Sequence, residues 1–146
     1  MDWLNLPNVI SFLTALVAVI TLVVQNRAAA KQLRLQNFME YTRRYQEIIL
    51  NFPETINEPT FKLVNLTDGV REKTMRYMRA YFDLCYEEFI LHEKKFIDDT
   101  FWKIWKGGME AAFAKPAFKQ AWEAISKDSS FGPEFVGFVQ LHMNPR

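Results

Sequence analysis

The chain opens on an apolar block that nothing later in the sequence repeats. No charge occurs from Val9 to Val24. With Trp3, Leu4 and Leu6 the stretch approaches the ~20 residues needed to cross ~30 Å of hydrocarbon. Residues 3–24 therefore read as one transmembrane helix. Ser11, Thr14 and Thr21 do not forbid insertion, because their hydroxyls can return to carbonyls of the preceding turn. A cleaved signal peptide and a buried core helix are the rival readings. A signal normally opens with positive charge, whereas this chain opens Met1-Asp2-Trp3.

Beyond Val24 the pattern turns amphipathic without a Gly or Pro to stop it. Residues 28–34 are good helix formers, and Phe38, Tyr41, Tyr45, Ile48 and Phe52 follow at alternating steps of three and four until Pro53. Span and first polar helix are expected to form one rod of more than forty residues, roughly 65 Å long at ~1.5 Å per residue, unless it breaks at Gln25-Asn26. Residues 53–69 hold two Pro, three Thr and two Asn and read as a loop, with a short helix near Phe61 to Leu66.

Four-and-three periodicity then resumes three times. Thr67 or Asp68 caps a second helix with Met75, Met78, Phe82, Cys85 and Phe89 on its apolar face, expected to run to about Lys95. Asp98 or Asp99 caps a third, carrying Trp102, Trp105, Met109 and Phe113, with Gly107-Gly108 inside it as a kink or a close approach. Pro116 starts a fourth, burying Phe118, Ala121, Trp122 and Ile125, and Pro133 starts a short fifth. No alternating strand pattern survives. The expected fold is all-α: an anchor over residues 1–25 and a helical bundle over 26–146.

Charge supplies an orientation. Only Asp2 precedes the span, while Arg27, Lys31 and Arg34 follow it, which by the positive-inside tendency puts the C-terminal domain in the cytoplasm and the N-terminus outside. Trp3 then sits at one membrane surface and the three basic residues at the other. The lone Cys85 fits a reducing compartment. With 24% charged residues and a net charge of +1, nothing suggests a nucleic-acid partner. At 15% aromatic, including 13 Phe and 4 Trp, the chain has ample material for a core.

Candidate chemistry is sparse. Glu88 and His92 lie one turn apart and could converge, but bundle metal sites place Glu and His three apart and repeat the motif, which this chain does not. No metal or cofactor is expected. Asp83, Glu87 and Glu88, flanked by Arg76 and Arg79, have the spacing of an exposed, ion-paired helix face. Cys85 belongs to an apolar face and has no neighbour that would lower its pKa. No phosphate loop, nucleotide fingerprint or hydrolase elbow occurs. Association is better signposted: Ser11, Thr14, Ala15 and Ala18 bring small side chains together within the span. Trp102, Trp105, Gly108, Phe135 and Phe138 would form a partner-binding patch if the core cannot absorb them all.

The stretch from Tyr77 to Ile125, with the segments "YFDLC", "IDDTFWKIWKGG" and "PAFKQAW", resembles a family of small bacterial proteins with one N-terminal span and a helical cytoplasmic domain. The resemblance extends upstream to "FMEYTRRYQEIILNFP", Phe38 to Pro53, and departs at Tyr86, where a polar Asn is expected. It implies the topology and no activity. The expected function is that of a non-enzymatic, single-pass accessory or scaffolding subunit of a bacterial membrane complex, with lipid and other membrane subunits as partners. The alternatives are a self-assembling stress or pore-forming protein and an enzyme using Glu88 and His92.

Overall fold

Helix α1 runs from Leu6 to Ile49, 44 residues, and passes Gln25-Asn26 without a break. The computed structural model describes residues 6–144; the expected interfacial Trp3 lies outside them. The chain divides into two units, Met1–Asn37 and Phe38–Arg146, so α1 begins in one and ends in the other.

In the first unit α1 contains a window of mean hydropathy 2.2, long and apolar enough to cross a membrane, of which none is buried. The hydroxyls of Thr14 and Thr21 donate to the carbonyls of Ile10 and Val17 at 2.9 and 2.8 Å. Two of the window's polar groups are thus satisfied within the helix, which is compatible with insertion.

The second unit is built of helices and the turns between them, with no strand among the described residues. The end of α1 is followed by two 3-10 turns, Glu54–Asn57 and Leu63–Asn65, then α2 (Asp68–Glu93), α3 (Asp99–Phe113), α4 (Pro116–Asp128) and α5 (Pro133–Met143). The starts of α3, α4 and α5 have local causes. The Asp98 carboxylate accepts from the amides of Thr100 and Phe101, at 2.9 and 3.1 Å, satisfying two donors that the first turn of α3 leaves free. Pro116 and Pro133 occupy the first turns of α4 and α5, where a missing N–H costs nothing.

α2 ends at Glu93, short of the expected Lys95. Lys95 takes a left-handed backbone with φ of 60°. Its amide donates to the His92 carbonyl and that of Phe96 to the Leu91 carbonyl, both at 2.9 Å, which is a Schellman stop built on lysine where glycine is usual.

α2 packs against α3 and α4, and α3 also against α4 and α5. Met78, Phe82, Phe113, Ile125, Phe135 and Val139 are fully buried between them. Much of the aromatic face at the end of α1 packs here: Phe38 stacks on Trp105 at 5.8 Å, Tyr41 lies tilted to it at 5.4 Å, and Phe52 meets Phe118 edge-on at 5.8 Å, while Tyr45, 6.3 Å from Tyr81, stays exposed. Tyr86 packs between Phe131 and Phe135. A Cβ at Gly132 would lie 3.2 Å from the Tyr86 hydroxyl, so the small residue makes room for the large one. Gly107 and Gly108 serve no such approach, since a Cβ at either would meet nothing within 4 Å.

Candidate functional site

The end of α1 lies across α2 and α3, and between them remains a cavity of about 250 Å³. Phe38, Thr42 and Tyr45 wall it from α1, and Tyr81, Leu84, Cys85 and Glu88 from α2. Ile104, Trp105, Gly108 and Met109 close it from α3. Steps of three and four place Tyr81, Leu84, Cys85 and Glu88 on one face, so an acid occupies a position where the pattern calls for an apolar residue.

Glu88 is 5% exposed. Burial pushes its carboxyl up to about 8, with Arg44 pulling it down and Glu87 pushing it further up. Glu87, the next residue, is driven the other way. The Arg44 guanidinium holds it in two contacts of 2.6 and 3.3 Å, the Tyr41 hydroxyl donates to it at 3.3 Å, and its carboxyl falls below the usual range. Adjacent carboxyls thus differ in charge at neutral pH because one has a cation beside it and the other an apolar cavity. Burial also pushes Tyr81 and the Cys85 thiol well up, the opposite of the environment that activates a thiolate.

The expected exposed acidic face is therefore only partly present. Glu88 is internal, Glu87 pairs with Arg44 on α1, Arg79 reaches Asp128 at the end of α4 at 2.7 Å, and Arg76 approaches Glu72 at 3.8 Å. Glu88 and His92 are not brought together by any hydrogen bond or ion pair among the described residues. The His92 ring lies on Trp102 at 4.5 Å, and its polar neighbours are Asp99 and Glu93. No group of three or more acids, His or Cys is placed to hold a metal ion among the described residues.

The aromatic patch expected to bind a partner is largely absorbed by the core. Phe135 is wholly buried against Tyr86, Phe89 and Trp122, and Trp105, 8% exposed, walls the cavity. Trp102 and Phe138 are half-buried, 5.8 Å apart, and Gly108 is exposed at the cavity. α5 turns Phe135, Val139 and Met143 inward, whereas Gly137, Gln140 and Leu141 are exposed. On α1, Ser11, Thr14, Ala15 and Ala18 are exposed, as are Arg27, Lys31 and Arg34.

No family model, no curated protein and no solved structure matches the chain.

Proposed function

We propose that the protein is a single-pass component of a bacterial cytoplasmic membrane, with its N-terminus outside and its helical domain in the cytoplasm, acting without catalysis as an accessory or scaffolding subunit. The reading rests on the apolar window of mean hydropathy 2.2 in α1, none of it buried, which needs lipid or protein cover. Arg27, Lys31 and Arg34 on its C-terminal side support the orientation. The resemblance of Tyr77 to Ile125 to small bacterial membrane proteins suggests the host membrane. Small side chains at Ser11, Thr14, Ala15 and Ala18 suit close approach by another span.

Self-assembly is the second reading, favoured by the same small residues. Its other support is weaker, because Phe38, Tyr41, Ile48 and Phe52 pack on the protein's own core and only Tyr45 on that face is exposed. The test is the mass and composition of the assembly released from native membranes in mild detergent. Stoichiometric foreign subunits are expected. A species made only of this chain would favour self-assembly, and recovery in the soluble fraction without detergent would overturn both readings.

A further inference from the structure

Glu88 is the only charged side chain buried among the described residues of the second unit. No hydrogen bond or ion pair is made to the Glu88 carboxyl, yet no fully enclosed polar side-chain atom lacks a partner among the described residues. Its oxygens must therefore border open space, and the space beside them is the cavity. A carboxyl that faces an apolar cavity without a partner destabilises the fold relative to an apolar residue of the same size. Its presence is explained if something enters the cavity and supplies the partner.

We propose that the cavity between the end of α1, α2 and α3 binds a small apolar monoamine, its ammonium group paired with the Glu88 carboxylate and its body against Phe38, Tyr45 and Trp105. Size, lining and charge each select for this class. At ~30 Å³ for each water-sized group the cavity takes about eight heavy atoms, and an apolar cavity of ~150 Å³ already takes benzene. Aromatic walls attract a cation through their faces and cover a hydrocarbon body equally well. An apolar carboxylate would find no cation in the lining, because the nearest, Arg44, is outside it and held by Glu87. A neutral alcohol could share a hydrogen bond with Glu88 but would leave its charged form unused.

Proton balance is definite. The empty site holds Glu88 protonated at neutral pH, so an alkylammonium ion entering it displaces one proton to solvent and no covalent bond changes. Other groups facing Glu88 do not blur this. Tyr45, Tyr81 and Cys85 all have raised pKa values and stay neutral, Arg44 and Glu87 offset one another, and α3 contributes no charge to the lining. The same ammonium chemistry comes from a free amine or from the terminal group of a longer molecule that projects past Ile104, which is 57% exposed at the rim.

The test is calorimetric titration of n-hexylamine into the full chain in phospholipid nanodiscs, with empty discs subtracted and two buffers of different ionisation enthalpy to count protons. Saturable one-to-one binding with release of nearly one proton at pH 7 is expected. Hexanol and hexanoate should bind at least roughly tenfold more weakly, and Glu88→Gln should cost hexylamine a similar factor. Ile104→Trp, which narrows the rim and leaves Glu88 in place, should weaken binding if the free amine enters there. An unchanged near-ultraviolet circular dichroism spectrum would show that each variant keeps its fold. Equal binding of hexanol and hexylamine, or full affinity in Glu88→Gln, would reduce the site to an apolar void and overturn the proposal, as would no saturable binding of the amine. To separate a free amine from a lipid headgroup, the titration is repeated in discs lacking amine-bearing lipids. Stronger binding there would mean that headgroups compete for the site, and equal binding that the ligand is the free amine.

Discussion

The side chain of Gln120 on α4 brackets the backbone beside Leu63: its Oε1 accepts from the Leu63 amide at 3.0 Å, while its Nε2 donates to the Phe61 carbonyl at 3.1 Å. One amide group thus satisfies a donor and an acceptor of a segment that has no regular ladder of its own, and it carries Phe61 and Leu63 into the core. Gln120→Ala leaves both backbone groups unpaired and should lower stability by about 2 kcal/mol. Gln120→Glu keeps the acceptor, loses the donor and should fall between. Urea unfolding followed by near-ultraviolet circular dichroism measures both.

Helix starts offer an internal comparison. Asp98 makes two side-chain capping bonds to α3, whereas Thr67, in the equivalent place before α2, makes none. Asp98→Ala should therefore cost about 1 kcal/mol and Thr67→Ala only a few tenths. Equal losses would mean that the Asp98 bonds add nothing beyond the turn itself.

The stop of α2 predicts a gain. Lys95 holds a left-handed conformation that a side chain disfavours by about 1–2 kcal/mol and glycine does not. Lys95→Gly should raise stability by about 1 kcal/mol, less whatever the freer unfolded chain takes back. A loss would mean that the lysine side chain makes a compensating interaction, and the unfolding midpoint decides between the two.

What was legible in the sequence follows from the range of the signals. Apolar faces, the Asp98 cap and the first-turn prolines are set within a few residues, and those elements appear where the pattern places them. The short helix expected near Phe61 to Leu66 appears as the turn Leu63–Asn65, but the Gln120 side chain that holds Phe61 and Leu63 comes from more than fifty residues away, and no local pattern announces it or the turn Glu54–Asn57. The same holds for Arg79, whose nearest acids in sequence suggest a surface ladder while its partner is Asp128. Glu88 is the least legible of these residues. Its acidic neighbours make it look like part of a solvated face, and only its register with Tyr81, Leu84 and Cys85 hinted at the interior. The aromatic pairs are open in the sequence for another reason: counting rings does not tell that Trp105 and Phe135 enter the core while Trp102 and Phe138 stay half-buried.

Glu88 finally makes stability depend on pH with a sign opposite to that of an ion-paired acid. Its folded pKa of about 8 lies above the ordinary value of 4.5, so between those limits the folded state holds a proton that the unfolded state has lost. Stability is then full below about pH 4.5 as far as this group is concerned, and falls by about 1.4 kcal/mol per pH unit as pH rises towards 8, levelling off above it. Glu87 acts below that window, because Arg44 lowers its pKa and its contribution is lost only as pH falls. Tyr81 and Cys85 act above it. Glu88→Gln removes the ionisation and keeps the shape, so the variant should be more stable than the parent at pH 8, nearly equal at pH 4.5, and flat between. Urea midpoints across that range test the slope. A parent protein whose stability is also flat from pH 4.5 to 8 would mean that water or Arg44 neutralises the buried carboxylate, and that Glu88 is already charged in the folded protein.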